Sequence, residues 1–167
     1  DEVDDAEMIR MVDFFMENGF NYFDTAHGYL GGKSETALRR CLTSRYPRDS
    51  YILTNKLSSP YFQSQEDIRP FFESQLQICG VDYFDFYLLH AVNRDIMSVF
   101  EQDNSYEYLT QKKEEGKIRH LGFSYHGDLE FFLELIDKYK WDFVQLQINY
   151  YDWEATNAKA FYKILED

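Results

Sequence analysis

The sequence predicts an α/β protein built on a parallel sheet, and two features of the chain indicate this fold class. Apolar runs typical of buried strands alternate with amphipathic stretches typical of helices along all 167 residues. Four of the runs close on a polar residue (Asp24, Lys56, His90 and Ser124), and these residues lie 32 or 34 positions apart, the size of one strand–helix unit. Because the carboxyl ends of parallel strands meet at one edge of a sheet, we expect the four side chains to gather there.

Five apolar runs predict the strands. The first ends at Asp24, and the run from Phe84 to His90 is apolar enough for a strand that is buried on both faces. The predicted strands cover residues 20–26, 50–56, 84–90, 119–124 and 143–149.

Amphipathic stretches between these runs predict the helices. The first has apolar residues at helical spacing and ends at Gly19, a residue that favours helix termination. The fourth continues to Gly116 in the same way. The predicted helices cover residues 5–18, 34–46, 64–79, 99–115, 129–139 and 155–166.

A closed barrel and an open doubly wound sheet both fit this alternation. No G-x-G-x-x-G phosphate loop follows the first strand, where the chain reads Thr25-Ala26-His27-Gly28-Tyr29. Polar side chains at the ends of several consecutive strands are instead typical of the (β/α)8 TIM barrel, which we favour. Such a barrel needs eight strands and about 250 residues. We therefore expect residues 1–167 to form one partial barrel domain of about five strand–helix units, truncated at both ends.

Composition argues against several classes of protein. Thirty acidic residues against 17 basic residues give a formal charge of −13, which disfavours nucleic-acid binding through phosphate neutralisation. No apolar run reaches the length of a membrane span, and the acidic start of the chain differs from a basic leader peptide. Cys41 and Cys79 fall on predicted helices without ligand-like spacing. We therefore expect no metal site, no disulfide and a cytoplasmic location.

Tyr29 lies five residues after Asp24, on the loop above the predicted edge of polar side chains. A phenol with a pKa of about 10 donates protons poorly near neutral pH, but a nearby ammonium such as that of Lys56 lowers this pKa. Asp24 would keep Lys56 charged, and His90 could hydrogen-bond a carbonyl oxygen. Each side chain alone is more often structural, and only their joint placement favours catalysis. Together they could protonate a carbonyl, with a nicotinamide cofactor as the hydride source.

Several stretches of the chain resemble signature segments of the aldo-keto reductases. They occur in the family's order and at fitting distances over nearly the whole chain. The stretches are Gly19-Phe20-Asn21-Tyr22-Phe23-Asp24-Thr25-Ala26-His27-Gly28-Tyr29, Gly31-Gly32-Lys33-Ser34-Glu35, Thr54-Asn55-Lys56, Tyr87-Leu88-Leu89-His90, Gly116-Lys117-Ile118-Arg119-His120-Leu121-Gly122-Phe123-Ser124 and Val144-Gln145-Leu146-Gln147-Ile148-Asn149.

The resemblance implies a (β/α)8 barrel of which this chain supplies strands 2 to 6. It also implies an enzyme that binds NADP(H), less often NAD(H), and reduces a small aldehyde or ketone. By position, Asp24, Tyr29, Lys56 and His90 match the family's catalytic tetrad.

The resemblance further implies residues that contact the cofactor. Besides Asp24, Ser124 matches a residue that hydrogen-bonds the nicotinamide carboxamide, and a strand glutamine shares that role. Gln147 fits the family's pattern best, and Gln145, on the same face of the strand, is the alternative. The asparagine that usually follows the serine is Tyr125 here. The loops that hold the rest of the cofactor would lie outside this chain.

Two other readings stay open at the level of sequence. One is a nicotinamide-binding regulatory subunit that uses the barrel as a redox sensor, although pure binding does not require an acid. The other is that the isolated 167-residue chain is an inactive fragment whose open sheet edges drive association. Phrases such as Phe123-Ser124-Tyr125-His126-Gly127 resemble a bacterial branch whose members often append a ferredoxin-like iron–sulfur segment, which would again lie outside this chain.

Overall fold

The structure, a computed structural model in which residues 2–166 are described, contains a five-stranded parallel sheet. Each strand pairs with the next strand along the chain, and the order never reverses. This order is that of a (β/α) barrel, because a doubly wound sheet reverses its strand order at a switch point. The predicted partial barrel is confirmed. The strands are β1 (Tyr22–Asp24), β2 (Ile52–Leu57), β3 (Phe84–Val92), β4 (Ile118–Tyr125) and β5 (Phe143–Gln145).

Helices connect the strands and cover one face of the sheet. Side-chain caps begin several of them: Asp4 accepts a hydrogen bond from the Glu7 amide at 3.0 Å, and Asn93 accepts one from the Ile96 amide at 2.9 Å. The helices are α1 (Asp5–Glu17), α2 (Ser34–Leu38), α3 (Gln65–Cys79), α4 (Arg94–Gln102), α5 (Ser105–Glu114), α6 (Leu129–Lys138), α7 (Tyr150–Ala155) and α8 (Ala158–Glu166). Short 3-10 turns span Tyr29–Gly32, Arg48–Ser50 and Ser59–Tyr61, and a π turn, Arg39–Thr43, continues α2.

Most predicted elements shift by a few residues, and the strand predicted over residues 20–26 is confined to Tyr22–Asp24. Three further differences change the architecture around the site. The helix predicted over residues 99–115 is two helices, because Asn104 adopts a left-handed conformation (φ 49°, ψ 39°) between α4 and α5. The strand predicted over residues 143–149 ends at Gln145. The chain then turns into α7, where Asn149 caps the amides of Tyr151 and Asp152 at 2.9 Å each. The helix predicted over residues 155–166 begins at Ala158.

The hydrophobic core lies between the outer face of the sheet and the helices. Alternate residues of β3, such as Tyr87 and Leu89, point outward and are fully buried against side chains such as Phe72 of α3. Phe123 of β4 packs in the same way against Phe132 of α6. This layer holds the strands in register and thereby fixes the residues on their other face.

The inner face of the sheet carries a layer of rings below the strand ends. Phe86 contacts Tyr22, His120 and Phe143 at ring-centroid distances of 5.8, 4.8 and 4.9 Å. Gly122 leaves the space that Phe143 occupies, since a Cβ there would lie 2.4 Å from the Phe143 carbonyl oxygen. These rings form the floor on which the polar side chains of the upper strand ends rest.

Candidate active site

Side chains alternate between the two faces of each strand, and this alternation brings the predicted catalytic residues to the same face at one edge of the sheet. Asp24 is the last residue of β1, Lys56 the fifth of β2 and His90 the seventh of β3. Asp24 pairs with Thr54, and Lys56 pairs with Leu88, so each site residue lies two positions further along its strand than the one on the preceding strand. A shift of two positions keeps all three on the inner face. The structure thus places the carboxyl ends of three neighbouring strands, and their side chains, side by side.

Lys56 and Asp24 form an ion pair at the centre of the edge. The ammonium also donates to the Thr25 carbonyl at 2.8 Å, and the lysine side chain is only 1% exposed. Burial lowers the pKa of Lys56, and the carboxylate of Asp24 opposes that shift by favouring the ammonium. The pair therefore keeps a charge in a place where an unpaired lysine would tend to lose its proton.

Tyr29 sits on the loop above this pair, at the start of the 3-10 turn. Its hydroxyl lies 3.5 Å from Nε2 of His90, and the Lys56 ammonium lies 4.8 Å from the centre of its ring. The residue is 40% exposed and lines an open cavity. The four predicted side chains are thus in one group, with the phenol and the imidazole at its surface.

The pKa of Tyr29 differs from the expectation drawn from the sequence. Burial raises this pKa, and the carboxylate of Asp24 raises it further, whereas a lowered value was expected from the nearby lysine. The reason is geometric: the ammonium lies over the face of the ring, and Asp24 largely neutralises it. The phenol consequently keeps its proton throughout the neutral range.

His90 is neutral near pH 7. Burial and the charge of Lys56 lower its pKa from 6.5 to about 4, with Asp24 opposing and His126 adding to the shift. Its second ring nitrogen, Nδ1, lies 2.7 Å from the hydroxyl of the buried Ser58. The residue therefore presents an uncharged imidazole to the space beside Tyr29.

Ser124 ends up next to His90, although it belongs to the neighbouring strand. Its hydroxyl accepts a hydrogen bond from the backbone N–H of Ala91 at 2.7 Å. Ala91 has a φ of 57°, and the pairing of β3 with β4 shifts register between Leu89 and Val92. Ser124 thus supports the irregular backbone directly after His90, and its own hydroxyl proton remains available to a ligand.

The two glutamines considered for the cofactor lie in different surroundings. Gln145 ends β5 on the inner face and donates to Asp24 at 3.1 Å, while its buried side-chain oxygen has no hydrogen-bond partner. Gln147 lies beyond the strand, is exposed, and lines a cavity with Tyr125 and Phe161. Gln145, the second choice from sequence, is therefore the one that contacts the predicted tetrad, and which glutamine contacts a cofactor stays a prediction.

A buried polar network that the sequence did not reveal lies behind Lys56. Glu35 is fully buried and accepts hydrogen bonds from Asn55 at 2.7 Å and Gln75 at 3.0 Å, and it pairs with His27 at 2.8 Å. Asn55 accepts from the Lys56 amide at 2.8 Å, and Gln75 donates to the Lys56 carbonyl at 3.1 Å. The network fixes the backbone of the lysine from both sides. Polar residues on an outward strand face, such as Asn55, are the only signal of it in the sequence.

An open cavity of about 350 Å³ lies in front of the group. Its wall is formed by Tyr29, Ser58, Pro60, Tyr61, His90 and Ile96. Tyr61 stacks on Phe71 with ring centroids 5.9 Å apart, which braces this side of the wall. The cavity has the size of a small-molecule site and brings its occupant to the phenol and the imidazole.

Fold and site together define a (β/α)-barrel protein with titratable groups at the strand ends. The model of the Aldo/keto reductase family matches residues 1–167, and the chain belongs to that family. An aldo-keto reductase from Mycolicibacterium smegmatis is 32% identical over 139 residues, which are 80% of this chain and 46% of the relative. Norsolorinic acid reductase from Aspergillus flavus is 30% identical over 136 residues, 74% of this chain and 34% of that protein.

Solved structures agree with this assignment. The holo form of an aldo-keto reductase from Bacillus halodurans is 25% identical, with a TM-score of 0.76 over 99% of this chain and 55% of that chain. The chain thus spans about half the length, or less, of the relatives that it matches. Within residues 2–166, no helix is both long and apolar enough to cross a membrane. The same residues contain no group of three or more histidines, cysteines or carboxylates arranged to hold a metal.

Proposed function

We propose that the protein is an NAD(P)H-dependent oxidoreductase that reduces an aldehyde or ketone to an alcohol, with Tyr29 as the general acid. The observation that carries the proposal is the grouping of a protonated phenol, a neutral imidazole and a buried ammonium paired with a carboxylate beside one open cavity. Membership of the family and the relatives named as reductases support the same reaction class.

Tyr29 delivers the proton. A carbonyl oxygen in the cavity accepts hydrogen bonds from the phenol and from the imidazole N–H of His90, which fix its position. As negative charge develops on that oxygen, the phenolic proton moves to it. The tyrosinate that remains is stabilised by the ammonium of Lys56, whose own charge Asp24 maintains. Without Lys56 the phenolate would be still harder to form, because burial and Asp24 already raise the pKa of Tyr29.

The residues present fit a nicotinamide carboxamide. The unpartnered side-chain oxygen of Gln145 is an acceptor for the amide N–H, and the Ser124 hydroxyl has a proton to donate to the amide oxygen. The cofactor, when bound, would supply the hydride, which none of these side chains can provide. Asp24 orients Gln145 through their hydrogen bond. We propose NADP(H) as the cofactor, on the resemblance to the family.

The test compares Tyr29→Phe with its parent, both expressed from the complete reading frame. We expect carbonyl reduction, followed as oxidation of the reduced nicotinamide across a panel of aldehydes, to fall by roughly 10²- to 10⁴-fold. Cofactor binding should be retained because the phenol makes no predicted contact with the carboxamide. Tyr162→Phe, at an exposed tyrosine of α8, is the matched control and should behave like the parent.

Two results would contradict the proposal. Undiminished turnover by Tyr29→Phe would show that another group is the acid. Cofactor binding without reduction of any carbonyl by the parent would favour the regulatory, redox-sensing barrel. For the 167-residue chain alone, we expect no activity. In the described sheet β1 and β5 each have one neighbour, and the large side chains of Phe20, just before β1, and Tyr22, within it, are exposed.

A further inference from the structure

Ser58 contacts the nitrogen of His90 that faces away from Tyr29. The residue follows β2 directly, two positions after Lys56, so the strand alternation turns it to the same inner face. Its hydroxyl lies 2.7 Å from Nδ1 of His90, and only 5% of the residue is exposed. The Ser58 carbonyl also accepts from the Tyr61 amide at 3.1 Å, which fixes the serine at the start of the Ser59–Tyr61 turn. Ser58 is therefore rigidly placed against the imidazole.

A neutral imidazole carries one proton, and the two nitrogens of His90 face different partners. Nε2 faces the Tyr29 hydroxyl at 3.5 Å, and Nδ1 faces Ser58. If the proton were on Nδ1, the bare Nε2 would accept the phenolic proton of Tyr29 and hold it away from a carbonyl. If the proton is on Nε2, the imidazole can donate to the carbonyl and the phenol keeps its proton for transfer. The chemistry of the site therefore depends on which tautomer is present.

We propose that Ser58 is a positioning residue that donates its hydroxyl proton to Nδ1 of His90 and so keeps the ring proton on Nε2. The consequence for catalysis rests on the proposed reduction, whereas the tautomer itself does not. The nearby charge of Lys56 opposes a second proton on the ring. A donor at Nδ1 favours the neutral tautomer whose single proton lies on Nε2. The other titratable groups that act on the ring are Asp24, Tyr29 and His126.

Nitrogen-15 spectra of the histidine rings test this directly in the protein expressed from its complete reading frame. In the parent, we expect His90 to show a protonated Nε2 and a bare Nδ1 near neutral pH. In Ser58→Ala, the proton should redistribute toward Nδ1, and the pKa of His90 should rise because a hydrogen bond to its neutral form is lost. Ser58→Thr keeps a hydroxyl and should restore the parent spectrum.

Ser105→Ala is the matched control. Ser105 is also a buried serine, but its hydroxyl has no hydrogen-bond partner, so its removal should leave the His90 spectrum unchanged. A protonated Nδ1 in the parent, which is read without any substitution, would overturn the proposal. An unchanged His90 spectrum in a folded Ser58→Ala protein would overturn it equally.

Kinetics separate this proposal from the proposed reduction. Ser58→Ala should lower kcat by about tenfold, the size of one well-placed hydrogen bond, while KM for the cofactor stays the same. If Ser58→Ala had the same kcat as the parent, the serine would not position the imidazole for the reaction. Full activity of Tyr29→Phe would contradict the proposed acid and leave the tautomer result standing. A protonated Nδ1 in an active parent would contradict the role of Ser58 and the donation from His90 to the carbonyl, but would leave Tyr29 as the proposed acid.

Discussion

The two ends of the sheet hold carboxylates in contrasting surroundings, Asp85 buried at the lower end and Asp24 partly exposed at the upper end. At the lower end, the amino ends of the strands, Asp85 accepts from Arg48 at 2.6 Å, from Arg119 at 2.8 Å and from the Leu53 amide at 2.9 Å. At the upper end, the carboxyl ends of the strands, Asp24 has one cationic partner, Lys56. The lower carboxylate has its acceptor sites filled by permanent cations and a backbone amide. The upper pair is built from groups that can exchange protons.

This contrast distinguishes an ion pair that only stabilises the fold from one that can take part in proton transfer. Arginine stays charged under all physiological conditions, so the lower end cannot respond to the loss of a partner by changing its protonation. Lysine can, and burial already lowers the pKa of Lys56. Unfilled hydrogen-bonding capacity occurs at both ends, since the Gln145 oxygen at the upper end and Nε of Arg48 at the lower end both lack a partner. The two ends therefore differ in whether the charged groups can exchange a proton, not in whether every hydrogen bond is made.

The largest expected effect comes from removing the lower carboxylate. Asp85→Ala leaves the amide of Leu53 without its acceptor and Arg48 without its counter-charge, although Arg48 keeps two backbone carbonyls as acceptors. We expect the free energy of unfolding to fall by about 3 kcal/mol. Asp24→Asn is the counterpart at the upper end. Its cost should be about 1 kcal/mol, because Lys56 can release its proton instead of remaining an unpaired buried charge.

Urea unfolding of both variants and the parent measures this difference. Asp85→Ala should also leave the His90 ring spectrum unchanged if the two ends are independent. Equal losses of stability in the two variants would show that Lys56 does not release its proton when Asp24 is replaced. The two ends would then not differ in the way described.

Acid should weaken the upper end through His90. Its pKa is 6.5 in an unfolded chain and about 4 in the folded protein, so between these values the unfolded chain binds a proton that the folded protein does not. Stability is therefore full above pH 6.5 and falls as the pH approaches 4. We expect roughly 1 kcal/mol from this residue, less than the whole shift implies, because the ring is partly exposed.

The His90→Gln variant isolates this contribution, because glutamine does not titrate. Urea unfolding at about pH 7.5 and about pH 4.5 should show a smaller loss of stability in His90→Gln than in the parent. The carboxylates of the protein contribute equally to both and cancel in the comparison. An equal loss in the two proteins would mean that His90 is not desolvated as the structure indicates.

Much of this arrangement is predictable from the sequence, since strand periodicity fixes which residues share a face. The alternation of apolar residues and the spacing of Asp24, Lys56 and His90 are enough to predict the parallel sheet and its polar edge. Ser58 could have been found by the same rule, because it is two residues after Lys56. Periodicity also predicts that Gln145 and Gln147 share a face, but only if the strand continues past Gln145.

Other features depend on contacts that no local pattern contains. The strand ends at Gln145 because Asn149 caps the next helix, and the long predicted helix breaks where Asn104 turns left-handed. The raised pKa of Tyr29 depends on burial and on where the Lys56 ammonium lies relative to the ring, both of which are set by the tertiary structure. The network around Glu35 joins residues up to 40 positions apart and is invisible to spacing.

The smallest expected change in the free energy of unfolding concerns Ala91, at the upper end of the sheet. This residue has a left-handed conformation (φ 57°) directly after His90, which lies beside Tyr29. Glycine adopts such a φ without the clash of a Cβ, so Ala91→Gly should raise the free energy of unfolding by about 0.5 kcal/mol, after its entropy cost. Ala160→Gly, inside α8, is the control and should lower it by about 1 kcal/mol. Urea unfolding measures both. A gain in stability for Ala91→Gly alone would show that the backbone beside His90 is strained, as is common at functional sites. A loss of stability in both variants would show that it is not.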